Sequence, residues 1–378
     1  MDSRLTWTPL PVPADDFDEP ALSIIARYVR TANRVSQHFW GDERADTSVE
    51  EIVASLRNAE DELALRWLVS EAGRDVGRCI VSMSREAGAT VAYISVWVVP
   101  EARGRGIGRM LLQRVEREAL QLGARTLQTW ADHRLPVAGE PQLTPASEHG
   151  AIAADAPAQL LRSAGYRLEQ IERVSELDVP AAHGSLAAHR AAALAHAADR
   201  YEVRAWQGST PRPLREAMAA LHARMMTDAP MAGLAIDAER WDAARLQRLE
   251  SEWDAAHQIA LQAIAIERGS GETVAFTVLL LPEPGRPAVQ EDTLVRADHR
   301  GHRLGMLVKA ENLLQLRRLH PDRTRVLTWN AEENRPMLRV NEALGFVAVG
   351  AEGGWQRRVD EDVDEDPAST AGPASMEA

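Results

Sequence analysis

Residues 96–120 read VWVVPEARGRGIGRMLLQRVEREAL. A β-branched run ending at Val99 gives way to a cluster of Gly and Arg, and then to apolar residues at three-to-four spacing. The pattern predicts a strand, a tight turn and an amphipathic helix. The first turn of a helix leaves N–H groups without intrahelical partners and carries the positive end of the aligned peptide dipoles, so such a junction cradles an anion. Gly104, Gly106 and Gly108 let the backbone approach it closely, and Arg103, Arg105 and Arg109 bring charge suited to phosphate.

The same order recurs at 293–319, TLVRADHRGHRLGMLVKAENLLQLRRL. Arg300-Gly301-His302-Arg303-Leu304-Gly305 aligns with Arg103-Gly104-Arg105-Gly106-Ile107-Gly108. The match continues downstream, with ARTLQTW ending at Trp130 parallel to TRVLTW ending at Trp329, and LLRSAGYRLEQ around Gly165 parallel to RVNEALGFVAV around Gly345. Self-similarity at so long a period means two copies of one α/β unit.

The chain of 378 residues is long enough for two cores, which agrees with the repeat. A net charge of -13 argues against nucleic acid and anionic membrane as partners. One cysteine, Cys79, and the absence of an apolar leader or spanning run predict a cytoplasmic protein. Lys309 is the sole lysine, and codon bias is a sufficient account of that.

The first unit is expected over 1–178, with helices near 20–40 and 48–57, strands near 64–70, 77–84 and 91–99, and a long irregular loop at 131–155. An Ala-rich linker helix follows at 179–200. The second unit covers 201–358, with helices near 213–227 and 237–255 and strands near 259–267, 273–281 and 288–296. The acidic, small-residue tail 359–378 has the composition of a disordered segment. His133 and His149 lie in the long loop without metal-ligand partners, so they read as solvated and no metal is expected.

Two phosphate-binding folds are excluded by their own requirements. A P-loop needs Gly-x-x-x-x-Gly-Lys-Ser/Thr, and neither copy has the Lys or the hydroxyl. A dinucleotide fingerprint needs Gly-x-Gly-x-x-Gly and an acid about twenty residues on, whereas these glycines are spaced by two and GARTLQTW holds no acid. Residues 103–108 instead resemble the coenzyme A pyrophosphate loop of the GNAT acyltransferase superfamily, Arg/Gln-x-x-Gly-x-Gly/Ala after a strand ending in Val. The second copy departs where Arg303 replaces the first Gly, which is compatible with main-chain binding if that position does not need positive φ. NAEENRPMLRVNEALGF resembles the family's second hallmark, with Asn334 opening a helix and Gly345-Phe346 closing it. The chain is also similar to a group of bacterial tandem GNAT proteins and, in its architecture, to mycothiol synthases.

The resemblance implies two tandem α/β domains, each a mixed, splayed central sheet flanked by helices, and acetyl-coenzyme A as cofactor. It implies an N-acetyltransferase acting on a primary amine of a small molecule or peptide. Alternatives are a silent acyl-CoA sensor and a mycothiol-synthase-like acetyltransferase, and a homodimer is compatible with the sequence. Carried over position by position, cofactor contacts fall on Val295, Arg296 and Ala297 and on Arg300, Gly301, His302, Arg303, Leu304, Gly305 and Met306. Those of the first unit fall on Val98, Val99 and Pro100 and on Arg103, Gly104, Arg105, Gly106, Ile107, Gly108 and Arg109. His299 and His302 flank the second loop and either touch phosphate or merely line it.

In the family the amine's proton goes to a carboxylate or His on the fourth strand. Strand alternation puts Glu291, Thr293 and Val295 on one face, making Glu291 the expected base; a bulge would exchange it with Asp292, and the bland reading is a solvated strand start. The first unit carries Ile94, Val96 and Val98 on the matching face, without acid or base. The thiolate's usual Tyr donor maps onto Asn341 in the second copy and Leu161 in the first. Asn341 offers a hydrogen bond and no acidic proton. Asn330 and Asn334 fix the cofactor and the strand splay, with helix capping as the other reading of Asn334. Met225, Asp228 and Met231 are expected to line an acceptor pocket, or else to form a helix-ending turn. On this balance the chemistry belongs to the second unit.

Overall fold

The computed structural model describes residues 4–228 and 230–359, so the expected tail lies, from residue 360 on, outside the described residues. The first copy contains β1 (Leu5–Pro9), α1 (Glu19–Trp40), α2 (Val49–Arg57), β2 (Glu62–Glu71), β3 (Arg74–Ser84), β4 (Val91–Val98), α3 (Ile107–Gln121) and β5 (Thr126–His133). It continues with the short pair β6 (Gln142–Leu143) and β7 (Ile152–Ala153), then α4 (Ala156–Ser163) and β8 (Arg167–Asp178). A linking helix α5 (His183–Ala197) leads to the second copy. That copy contains β9 (Tyr201–Gln207), α6 (Arg215–Asp228), α7 (Ala243–Ala255), β10 (Ile259–Glu267), β11 (Thr273–Leu281), β12 (Ala288–Val295), α8 (Leu304–Leu319), β13 (Arg325–Ala331), α9 (Arg335–Leu344) and β14 (Val347–Arg358).

Local chemistry sets the helix ends. Asp18 accepts from the Ala21 N–H and opens α1, which stops at Gly41 in the left-handed conformation. Ser48 and Glu51 form a reciprocal capping box on α2. Residues 237–242, expected as helix, lie in the connection between α6 and α7, and Asp242 caps α7 by accepting from the Arg245 N–H. The loop at 131–155 is less irregular than its Pro/Gly content suggests, because β6 and β7 pair within it.

The two central sheets are joined into one, in the order β1-β2-β3-β4-β5-β14-β8-β13-β12-β11-β10-β9. β14, from the second copy, lies beside β5, and β8, from the first, lies beside β13. Each copy's last long strand thus completes the other copy's half-sheet. The cores record the same exchange: Trp355 of β14 is buried among Leu111, Val115 and Leu127, while Leu177 of β8 is buried among Leu313, Val326 and Leu344.

In each half one neighbouring pair is parallel and short. β4 meets β5 only over Val91–Tyr93 and Thr126–Gln128, and β12 meets β13 only over Ala288–Gln290 and Val326–Thr328. Beyond those positions the strands part, leaving unpaired backbone and a wedge-shaped gap in each half-sheet.

Candidate active site

The decisive local feature is a bulge in β12. Across β11, Thr277 pairs with Thr293 and Leu279 with Gln290, so Glu291 and Asp292 together oppose Val278. The Gln290 amide donates to Thr277 Oγ1 at 3.0 Å, and the Thr277 and Thr293 hydroxyls meet at 2.7 Å. Residues 290 and 293 therefore share a face although an odd number of steps separates them. The expected common face of Glu291, Thr293 and Val295 does not hold, because the extra residue resets the alternation. Asp292 turns to α6, with Oδ2 3.3 Å from His222 Nδ1. β3 and β4 pair without interruption from Gly77–Val98 to Met83–Ala92, so the first unit has no such bulge.

Where β12 and β13 part lies a cleft of about 1090 Å³, lined by both strands, the ends of α6, α8 and α9, and Glu172 of β8. Among the expected residues it gathers Glu291, Val295, Arg300, Gly301, Arg303, Leu304, Gly305, Met306, Asn330 and Asn334, with Met225, Asp228 and Met231 on the α6 side. Others stand outside its lining. Arg296 is engaged by Glu272 at 2.8 Å and Asp298 at 2.7 Å, and Ala297 faces solvent. His302 packs on the Tyr201 ring and meets the Arg200 guanidinium. His299 lines the cleft but is buried, with Nδ1 3.0 Å from the Tyr201 hydroxyl. Asn341 lies behind the wall, where its amide donates to Asn330 Oδ1 and so orients a residue of the lining.

The loop after β12 is shaped for an anion. The Leu307 N–H makes the first backbone bond of α8, to Arg303 O at 3.0 Å, so the N–H groups of Leu304, Gly305 and Met306 precede the helix's own hydrogen-bond ladder. Gly305 lets the helix start close to β12: a Cβ there would sit 3.7 Å from Val295 Cγ2. Arg303 has φ +57°, matching Gly106 at +80° in the first copy. The position does require the left-handed region, and Arg occupies it at a cost in strain rather than by changing the loop. Arg300 donates to Val295 O at 3.4 Å and to Asp228 O at 3.3 Å, tying the loop to α6. Asn334 both lines the cleft and caps α9, accepting from the Met337 N–H at 3.4 Å. These donors and cations fit the diphosphate of coenzyme A.

Carboxylates dominate the opposite wall. Glu291 faces the cleft's own space but is ringed by protein; that desolvation, with Asp292 next to it, pushes its carboxyl up to about 7. Burial and the nearby Glu333 push Glu172 up to about 7. Glu333 accepts from the Gln170 amide at 2.6 Å. Sequence reasoning missed Glu172 and Glu333, the first because only strand exchange brings it here. It also missed His222, buried at 4% exposure and stacked 4.8 Å from the Trp241 ring, and Lys309, whose singularity in the sequence was the available signal.

The first unit's loop keeps the same backbone and spends its side chains differently. Gly104 and Gly106 have φ +73° and +80°, Val99 and Ile107 are buried, and Pro100 opens a one-turn 3-10 helix. A Cβ on Gly108 would sit 3.8 Å from Val98 Cγ2, the counterpart of Gly305 against Val295. Arg103 donates to Val98 O at 3.1 Å, Arg105 pairs with Glu71 at 2.5 Å and Arg109 donates to Ser163 at 2.8 Å. At the joined end of β4 and β5, the α6–α7 connection of the second unit lies across the sheet. Gln128 donates to Ala235 O at 2.8 Å, Ala235 N–H donates to Gln356 Oε1 at 2.7 Å, and Asp237 accepts from the N–H groups of Thr90 and Val91, both at 2.9 Å.

His133, read as solvated, is fully buried. Its Nδ1 stands 2.9 Å from Asp155 and its Nε2 accepts from the Trp355 indole at 3.2 Å, so it is a core residue bridging β5 and β14. His149 is exposed. Among the described residues no group of three or more His, Cys, Asp and Glu is arranged to hold a metal, and no helix is long and apolar enough to cross a membrane.

Comparison with known proteins agrees with the fold. Residues 28–136 match the model of the acetyltransferase (GNAT) family. No curated protein matches the chain. A tandem GNAT protein from the clavulanic acid biosynthesis pathway, solved without acetyl-CoA, superposes with a TM-score of 0.72 at 24% identity, covering 98% of this chain and 100% of its own. A GCN5-related N-acetyltransferase from Sphaerobacter thermophilus gives 0.55 at 17% identity, covering 94% and 96%. A GCN5-related glucosamine N-acetyltransferase region of a fungal multi-domain GH3 β-N-acetylglucosaminidase gives 0.55 at 14%, covering 93% of this chain and 38% of that one. Residues 28–136 match a GNAT acetyltransferase domain, and the chain as a whole has the fold of a tandem GNAT protein.

Proposed function

We propose that the protein is an acetyl-CoA-dependent N-acetyltransferase whose chemistry takes place in the second unit, on a primary amine of a cationic small molecule or peptide. One observation carries this reading. A single cleft joins the free N–H groups at the start of α8 to a wall bearing Glu172, Asp228, Glu291, Asp292 and Glu333. The basic loop suits the diphosphate of the donor, and the acidic wall suits an acceptor carrying more than one positive charge.

Acetyl-coenzyme A supplies an activated thioester. The chain's residues would hold it by the Leu304–Met306 N–H groups, Arg300 and Arg303, and would exclude water through Val295, Met306 and Met337 along the wedge. Glu291, with its carboxyl near 7, is half ionised at neutral pH and takes the amine's proton. Asp292, next to it in the bulge, is held towards His222, with Oδ2 3.3 Å from Nδ1. Asn341 holds Asn330 in the lining and takes no proton.

Calorimetry with acetyl-coenzyme A and thiol release with a panel of mono-, di- and polyamines test the reading. Binding with turnover that favours polyamines is expected. Binding without thiol release from any amine would instead identify a sensor, and absence of binding would overturn the cofactor assignment.

A further inference from the structure

Lys309 is the sole lysine of the chain and is 1% exposed, yet its side chain reaches the lining of the cleft. It lies on α8 one turn beyond Gly305, the residue that stands against Val295 and Met337. Its ammonium is 5.6 Å from the centre of the Phe346 ring. Phe346 packs with Ala288 and Val326, which are paired at the start of the joined stretch of β12 and β13. Lys309 therefore sits at the closed end of the wedge, on the α8 side of the sheet. Glu291 follows Gln290, the last paired residue before the strands part, and the bulge places it opposite the α8 face. The two groups flank the vertex of the gap from opposite sides of the sheet.

Burying a cation without a counter-charge is costly, and such groups are retained where they act. β12 brings Glu291 and Asp292 to the cleft, β8 Glu172 and the turn before α9 Glu333, while α6 and the loop bring Asp228, His299, Arg300 and Arg303. Among the described residues none of these pairs with Lys309, and burial alone lowers its pKa to about 7.

Resting on the acetyltransferase reading above, we propose that Lys309 is the proton donor to the departing thiolate. An acyl thioester threaded through the wedge presents its carbonyl carbon to an amine on the Glu291 side and its sulfur to Lys309. The amine nitrogen forms the N–C bond, the C–S bond breaks with its electron pair on sulfur, and one proton moves from Lys309 Nζ to sulfur. Glu291 takes the proton lost by the amine. The products are an amide, a free thiol, a neutral lysine and a protonated Glu291, and solvent returns the proton from carboxyl to amine between turnovers.

The test is the pH profile of thiol release from acetyl-coenzyme A, with the amine panel and with water alone, in wild type, Lys309→Met and Lys309→Arg. Wild type should lose rate above pH 7 as Lys309 deprotonates. The Met variant should lose at least tenfold in kcat with KM for acetyl-coenzyme A changed less than threefold, and should lose the alkaline limb; the Arg variant should shift that limb upward. Met replaces a buried charge with an apolar chain of similar length, and calorimetric binding of acetyl-coenzyme A by that variant checks that the cleft is intact. An alkaline limb that survives in the Met variant, a change confined to KM, or a gain of one acetyl mass on Lys309 after incubation overturns the proposal while leaving the acetyltransferase reading standing. Failure of wild type to bind acetyl-coenzyme A overturns both.

Discussion

Glu172 of β8 and Glu352 of β14 are register partners across the central pair of strands, and Glu352 is in turn the partner of Asp132 on β5. Partners on adjacent strands share a face, so three carboxyls stand in a row where the two halves meet. Burial and mutual repulsion push Glu352 up to about 8, and burial pushes Asp132 up to about 6. The row ends at Glu172, which lines the cleft, so the junction of the units and the acidic wall of the cleft share one charge system.

The pH dependence of stability follows with a definite sign. Glu352 is protonated below its ordinary value of 4.5 in both folded and unfolded chains, so it costs nothing there. Between 4.5 and about 8 the unfolded chain releases the proton first, and stability falls by up to about 1.4 kcal/mol per pH unit. Thermal melts of Glu352→Gln and wild type should coincide near pH 4 and diverge towards pH 8, with the variant higher. A constant offset at all pH values would contradict the assignment.

Strand exchange makes the two halves one cooperative unit. Trp355, fully buried, belongs by sequence to the second copy and by packing to the core of the first. Trp355→Ala should cost about 3–5 kcal/mol and lower a single melting transition of the whole chain. Two separate transitions, one of them unchanged, would show the halves to be independent.

Glu291→Gln should lower kcat for amine acetylation by about 10²–10⁴-fold, the usual contribution of a positioned general base. In wild type the rate should rise with pH through about 7 as the carboxyl ionises, and the Gln variant should lose that acidic limb. Retention of the limb would shift the role to Asp292 and His222, 3.3 Å apart on the α6 side.

Arg303 holds a left-handed backbone that glycine adopts without strain. Arg303→Gly should raise stability by up to about 1 kcal/mol while weakening binding of acetyl-coenzyme A several-fold, because a guanidinium is lost from the loop. Denaturant melts and calorimetry on the one variant separate the two effects.

The Arg103, Arg105 and Arg109 side chains of the first loop are taken up by Val98 O, Glu71 and Ser163, so wild type should bind one acetyl-coenzyme A per chain, in the second unit. Asp237→Ala removes an acceptor of the Thr90 and Val91 N–H groups and should loosen the α6–α7 connection from the joined end of β4 and β5 without changing that stoichiometry. A stoichiometry of two in wild type would show the first wedge to be open to the cofactor.

The repeat, the strand–loop–helix order and the anion-binding start of α8 were legible in the sequence because each rests on local rules: β-branched runs, glycines at positive φ, and three-to-four apolar spacing. Glu291 was singled out by a strand alternation that the bulge overturns, and Met225, Asp228 and Met231 by the resemblance; all four line the cleft. The bulge that separates Glu291 from the face of Thr293 was left open, since a single extra residue is decided by pairing with β11 and not by β12 itself. His133 was misread because its partners, Asp155 and Trp355, lie 22 and 222 residues away. The sequence by itself determined the units, their loops and the polarity of the second one. Only the tertiary structure decided which strand completes which half-sheet, and thereby brought Glu172 into a cleft built mainly by the other copy, because strand pairing depends on long-range complementarity that no local pattern encodes.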